Sequence, residues 1–223
     1  MIRAPLSISF LALLCLTACG SSEVIEDHYY SLVLAAGGSA MAADNEVASA
    51  QIIVGPIQLP TYLSGRGLPM QVAPNRIESA SHHLWAEPLD GAIAKVLARD
   101  IAERTDGIDV ERESGRWTAD ADCRIRIEFD AFHPTYESRV VTSGRYWIVS
   151  DDSTDRHDFT LTRALTIDGY AHAVDVLKGT LEALANQISE DLRSTPACRG
   201  SAGPDVAGAK WGANPLLESP PIH

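Results

Sequence analysis

Cys19 carries the most specific chemical signature in the chain. It closes the run Leu16-Thr17-Ala18-Cys19, which follows Arg3 and the apolar stretch Ile8–Leu16. A stretch that short cannot serve as a membrane span, and small residues directly before a cysteine form the lipobox of a bacterial lipoprotein signal. The chemistry is acylation of Cys19 through its sulfur and amine, with residues 1–18 removed. An ordinary secretory signal that happens to contain a cysteine is the plain alternative. Gly20 and Ser21 follow, with no Asp at the second mature position, which is the outer-membrane sorting pattern of Gram-negative lipoproteins. One acyl chain holds a protein only marginally, so stable attachment needs the two or three that such proteins carry.

With Cys15 lost in the signal and Cys19 acylated, Cys123 and Cys198 remain as an even pair in an oxidising compartment. They form either a disulfide or two buried thiols, since spacing in sequence does not fix their separation in space. His82-His83 with Glu87 has metal-ligating residue types, yet adjacent histidines point in different directions on most backbones, and a surface turn is the simpler reading. His157 and His172 stand without an assigned acid or base partner. Asp151, Asp152 and Asp155 share one turn that lacks the completing glutamate of an EF-hand, so it reads as solvated. The chain contains no G-x-S-x-G, H-E-x-x-H, P-loop or C-x-x-C. Neither catalysis nor a cofactor nor a metal is expected. Two aromatic pairs are left. Tyr62-Leu63 follows Pro60, which stops a strand, and precedes Gly65 and Gly67, so it is expected at a partner interface. Tyr146-Trp147 lies within a strand, where Trp147 reads as core.

The elements that must position these residues are legible from periodicity. His28–Ala36 reads as a first strand, and Gln51–Leu59 as a second, nearly continuous in apolar residues and therefore central. Short extended pieces surround Pro74-Asn75. Pro88 suits the first turn of a helix running from near Glu87 to Thr105, with Gly107 as its left-handed stop. Leu89, Ile93, Val96, Leu97 and Ile101 form its apolar stripe, opposite a solvated face holding Asp90, Lys95, Arg99, Asp100 and Glu103. A weak strand at Ile108–Arg112 follows. Then Cys123, Ile125, Ile127, Phe129 and Ala131 alternate against charged neighbours, which predicts a half-buried strand. Two further strands form a meander, the second with Phe159, Leu161, Leu165 and Ile167 inward. A last helix, Tyr170–Leu192, buries Val174, Leu177, Leu181, Leu184, Ala185, Ile188 and Leu192 opposite an acidic face (Asp175, Glu182, Glu190, Asp191).

This order predicts an α+β fold, a mostly antiparallel sheet with two main helices packed on one face. The division is a signal at 1–18, a lipidated tether at 19–28, one domain at 29–198 and a disordered tail at 199–223. The formal charge of −12 becomes one unit more negative once Arg3 leaves with the signal, which argues against nucleic acid and anionic head groups as partners.

The lipobox, Tyr29-Tyr30-Ser31-Leu32, Val54–Leu63, Asn75-Arg76-Ile77 and Trp85-Ala86-Glu87-Pro88-Leu89, in this order and spacing, resemble the PqiC family over about residues 16 to 195. After Tyr-Leu the family usually has an Asp-Arg or similar pair, where this chain has Ser64-Gly65-Arg66-Gly67. The resemblance implies an auxiliary outer-membrane lipoprotein facing the periplasm, docked on an MCE-domain, PqiB-like partner in a system that moves lipids between membranes and supports envelope integrity. A homo-oligomeric ring would suit a ring-shaped partner. Two other readings stay open: an envelope-tethered hydrolase using His157 or His83, and a structural lipoprotein with no transport role.

Overall fold

The computed structural model describes residues 25–33, 50–113 and 121–199. Cys19, the signal and the tail from residue 200 lie outside them. The fold is α+β. Its strands are β1 (His28–Tyr30), β2 (Ala50–Gln58), β3 (Gly67–Ala73), β4 (Arg76–Trp85), β5 (Ile108–Arg112), β6 (Cys123–Thr135), β7 (Arg139–Val149) and β8 (Thr154–Ala164), with helices α1 (Leu89–Ala102) and α2 (Tyr170–Ser194). All eight strands join one sheet.

β6 is its spine. One edge pairs with β7 along its whole length, and β7 pairs with β8, both antiparallel. The other edge is shared by two strands placed end to end. β2 runs parallel to Cys123–Glu128, and β3 joins in parallel where Gln71 meets Thr135. β5 flanks β2 in parallel, while β4 flanks β3 antiparallel and carries β1 in parallel on its outer edge. The change of partner coincides with a bulge. The ladder to β7 steps from Phe129↔Gly144 to Ala131↔Ser143 and skips Asp130. A bulged residue bends its strand and reverses the inward face beyond it. Cys123, Ile125, Ile127 and Phe129 therefore point inward, but after the bulge Phe132 takes the buried place expected for Ala131.

The helices touch each other and cover one face, α1 over β2 and β5, α2 over β6, β7 and β8. Both predicted stripes are buried. Within the α2 contact, Thr142 and Thr180 hydroxyls meet at 2.6 Å with no exposed surface. Since Thr180 also donates to the Leu177 carbonyl, Thr142 is the donor of the shared bond.

Several local expectations need correction. β3 and β4 form a longer hairpin than the short pieces anticipated, and His82 and His83 lie in β4, not in a turn. The alternation that marks a half-buried strand is missing from Arg76–Ser79 because all four are exposed. Helix α1 begins at Leu89 with Pro88 as its cap and ends at Ala102. Gly107 has φ 71° but sits in the later turn to β5. The helix closes instead through Thr105, whose buried hydroxyl donates to the Ile101 carbonyl. Asp100, expected in solvent, is buried and receives Arg99 Nε and Nη2 at 2.9 and 2.7 Å. Strand β8 ends at Ala164, leaving Leu165 half-buried and Ile167 exposed.

Candidate functional site

Two places gather the side chains singled out above: the fork in the sheet and the edge where the tether joins it. At the fork, Pro60 ends the chain's extension from β2 and Thr61–Leu63 make one 3-10 turn before β3 begins. That turn bridges the gap between the two end-to-end strands. Leu63 is 1% exposed and belongs to the core cluster. Tyr62 is half-buried, its ring edge-on to His133 at 5.8 Å, and its hydroxyl donates to the Asp130 carbonyl at 3.0 Å. Burial and the Asp130 charge push the phenol up to about 12. Tyr62 thus serves the bulged residue that the β6–β7 ladder skips. The expected interface role is corrected for Leu63, which has no surface to offer, while Tyr62 stays partly exposed beside it. Proline and glycine around the pair signalled a turn, but not the gap it fills.

At the opposite edge of the sheet, His28↔His83, Tyr29↔Leu84 and Tyr30↔Trp85 pair β1 with β4. Side chains lock the pairing. His83 stacks between His28, at 5.1 Å, and Tyr170 of α2, at 3.9 Å. Tyr30 Oη lies 2.8 Å from His83 Nδ1, and Asp27 Oδ1 lies 2.9 Å from His82 Nδ1. Arg66 stands over the Tyr29 ring at 5.8 Å, and Ala86 N–H donates to the Tyr30 carbonyl at 2.8 Å. The His83 imidazole is held below the ordinary histidine value, first by burial and then by the neighbouring His28 and His82. His82, His83 and Glu87 go to three separate partners, Asp27, Tyr170 and Lys95. Among the described residues no three His, Cys, Asp or Glu side chains gather as a metal site. The first strand expected at His28–Ala36 is found at His28–Tyr30, and the His28–His83–Tyr170 stack beside it lay beyond the reach of sequence pattern.

The remaining candidates are placed as follows. His157 does have an acid partner, Asp191, at 3.2 Å. Asp191 also receives the Tyr146 hydroxyl, and the Tyr146 and His157 rings stack at 5.0 Å. Tyr146 is fully buried, with its phenol pushed far up by burial and by Asp191, so it is core. Trp147 is only half-buried and carries Arg126 at 6.0 Å from its ring. A cavity of about 950 Å³ lies beside this group, lined by Asp152, Ser153, Asp155, His157, Ser194 and Thr195 among others. The arrangement fastens α2 to β7 and β8. His172 Nε2 accepts from Thr166 N–H at 3.4 Å. Asp151 and Asp152 lie in the β7–β8 turn, while Asp155, expected there, is in β8; Ser150 and Ser153 bond to each other at 3.2 Å and Ser153 reaches Asp155 at 3.4 Å. Cys123 and Cys198 form a disulfide that ties the start of β6 to the short turn after α2. No helix among the described residues is long and apolar enough to cross a membrane.

Comparison with known proteins adds what geometry alone cannot. A family model described as "ABC-type transport auxiliary lipoprotein component" matches residues 30–189. The intermembrane transport lipoprotein PqiC of Escherichia coli strain K12 is 25% identical over 186 residues, covering 83% of this chain and 96% of that protein. A crystal structure known only as an uncharacterized protein superposes with a TM-score of 0.64 at 22% identity, covering 75% of this chain and 99% of the other. A Xanthomonas campestris protein superposes with a TM-score of 0.54 at 14% identity, covering 66% and 90%. At these identities the two structures speak to the fold alone.

Proposed function

Because the chain belongs to the family of ABC-type transport auxiliary lipoprotein components, we propose that it is the outer-membrane subunit of an intermembrane lipid transport system, anchored through Cys19 and facing the periplasm. Its partner is an MCE-domain protein reaching from the inner membrane, and the complex supports envelope integrity. Self-association into a ring would let each subunit make the same contact with a ring-shaped partner. No catalysis is part of this reading. The observation that carries it is the match of the family model over residues 30–189. The likeness to a relative named as an intermembrane transport lipoprotein supports the same assignment.

One experiment tests anchor and partner together. The full chain is expressed with a C-terminal affinity tag in its native host, as wild type and as Cys19→Ala. The envelope is crosslinked and fractionated, and co-purified proteins are identified by mass spectrometry. The wild type is expected in the outer-membrane fraction with an MCE-domain protein, and Cys19→Ala is expected as unprocessed precursor that leaves that fraction. Mature, acylated Cys19→Ala in the outer membrane would overturn the anchor. A correctly anchored wild type that brings down no MCE-domain protein would overturn the partner.

A further inference from the structure

The large apolar side chains left exposed among the described residues are Ile25, Tyr29, Ile77, Tyr136 and Ile167, each 39–66% exposed. They come from four separate parts of the chain, and the topology brings all but Tyr29, which pairs with Leu84 at the far end of β4, towards one end. Ile25 and Tyr29 belong to the tether and β1. Ile77 faces Gln71 across the β3–β4 hairpin, and Gln71 also pairs with Thr135, the residue before Tyr136. Two strand spacings, about 10 Å, therefore separate Ile77 from the Tyr136 corner. Leu165 N–H donates to the Ser138 carbonyl at 2.8 Å, which sets Ile167 beside the same β6–β7 turn. Three residues on, Tyr170 stacks on His83, which stacks on His28 of β1 and so returns to the tether.

The direction of the tether fits this grouping. β1 runs parallel to β4, so the chain before it approaches from the side of β4's first half, where the hairpin tip and Ile77 lie. Asp27 beside His82 keeps that path. From Cys19 to Ile25 the chain reaches at most about 20 Å. Arg76 pairs with Glu78 and Glu137 with Arg139 at this end. The other end of the long strands, eleven residues away along β7, is polar by contrast. It holds Asp151, Asp152 and Asp155, the short turn Pro196–Arg199 and the cavity of about 950 Å³.

We infer that this apolar end is a membrane-contacting face: Ile77, Tyr136 and Ile167, with Ile25, rest in the lipid interface beside the acyl anchor and orient the domain on the bilayer. Apolar side chains with a tyrosine among them suit shallow insertion between head groups rather than electrostatic adhesion. The occupant is a lipid surface because the anchored end of the chain points there. This orientation rests on lipid attachment at Cys19.

The test uses the processed, full-length lipoprotein reconstituted into phosphatidylethanolamine–phosphatidylglycerol vesicles. Tyr136→Cys, Ile167→Cys and, at the far end, Asp152→Cys are each labelled with an environment-sensitive fluorophore, with flotation recorded in parallel. Labels at 136 and 167 are expected to shift to the blue and to be quenched by spin-labelled acyl chains, while the label at 152 does neither. Vesicle-bound protein with all three labels unquenched would overturn the membrane face while leaving the anchor intact. Vesicle-bound protein whose Ile167→Cys copies crosslink to each other without quenching would assign the face to a second copy and overturn it equally. Protein that fails to float would overturn the anchor, and the orientation with it.

Discussion

Leu63 and Tyr62 behave as one wedge because the sheet forks beneath them. Truncating Leu63 to Ala removes atoms from a site with no access to solvent, so it should cost about 2–5 kcal/mol in urea denaturation. Tyr62→Phe forfeits only the bond to the Asp130 carbonyl, worth about 1 kcal/mol. An interface pair would give the reverse pattern, a lost partner with an unchanged unfolding midpoint. His133, against the same wedge, has its imidazole held below the ordinary histidine value by burial, with the Pro134 carbonyl acting the other way. His83 is lowered too. In both cases the unfolded chain takes up its proton first as pH falls. The stabilisation is therefore complete above about pH 6.5 and is lost progressively below it, down to the folded-state values. The urea midpoint should begin to drop as pH falls below about 6.5, and His133→Gln should flatten that slope. An equal slope in wild type and variant would remove His133 from the account.

At the scale of elements, the bulge in β6 has a counterpart in β7. Gly144 faces Phe129 at the last step before the skip, with φ 159°, and a Cβ there would stand 2.1 Å from the Glu128 carbonyl oxygen and 2.9 Å from Phe129 Cα. Backbone atoms cannot yield as a side chain can. Gly144→Ala should thus destabilise by about 3 kcal/mol, the upper part of the overpacking range, measured by thermal or urea unfolding. Helix α2 and both apolar stripes are legible in the sequence because their periods persist over several turns, and β6 is legible up to Phe129 for the same reason. What was hidden depends on contacts distant in sequence. The bulge is set by pairing with Gly144, so Ala131 and Phe132 exchange roles without any local sign. Asp100 reads as a surface residue on its own helix, and only the tertiary packing around α1 buries it. Strand β4 has no alternation in its exposed half, which is why His82-His83 passed for a turn.

For the molecule as a whole, the disulfide joins residues 75 apart and links β6 to the end of α2. In the chain-entropy description, closing a loop of that length removes about 4 kcal/mol of unfolded-state freedom. Non-reduced mass spectrometry is expected to show the linked pair, and reduction should lower unfolding stability by about that amount with the fold retained at low denaturant. Two alkylatable thiols in protein taken from an oxidising compartment would contradict the bond. The clamp on β1 has a mechanical consequence as well. β1 lies along β4 with its N-terminus toward the anchor, so a partner pulling on the far end of the domain would draw the strand parallel to its own axis. Tension then falls on the β1–β4 bonds and on the His28–His83–Tyr170 stack together, in shear, instead of opening them one after another. A lipoprotein held between two membranes that move relative to each other would transmit such a pull through its sheet and keep its grip on the anchor.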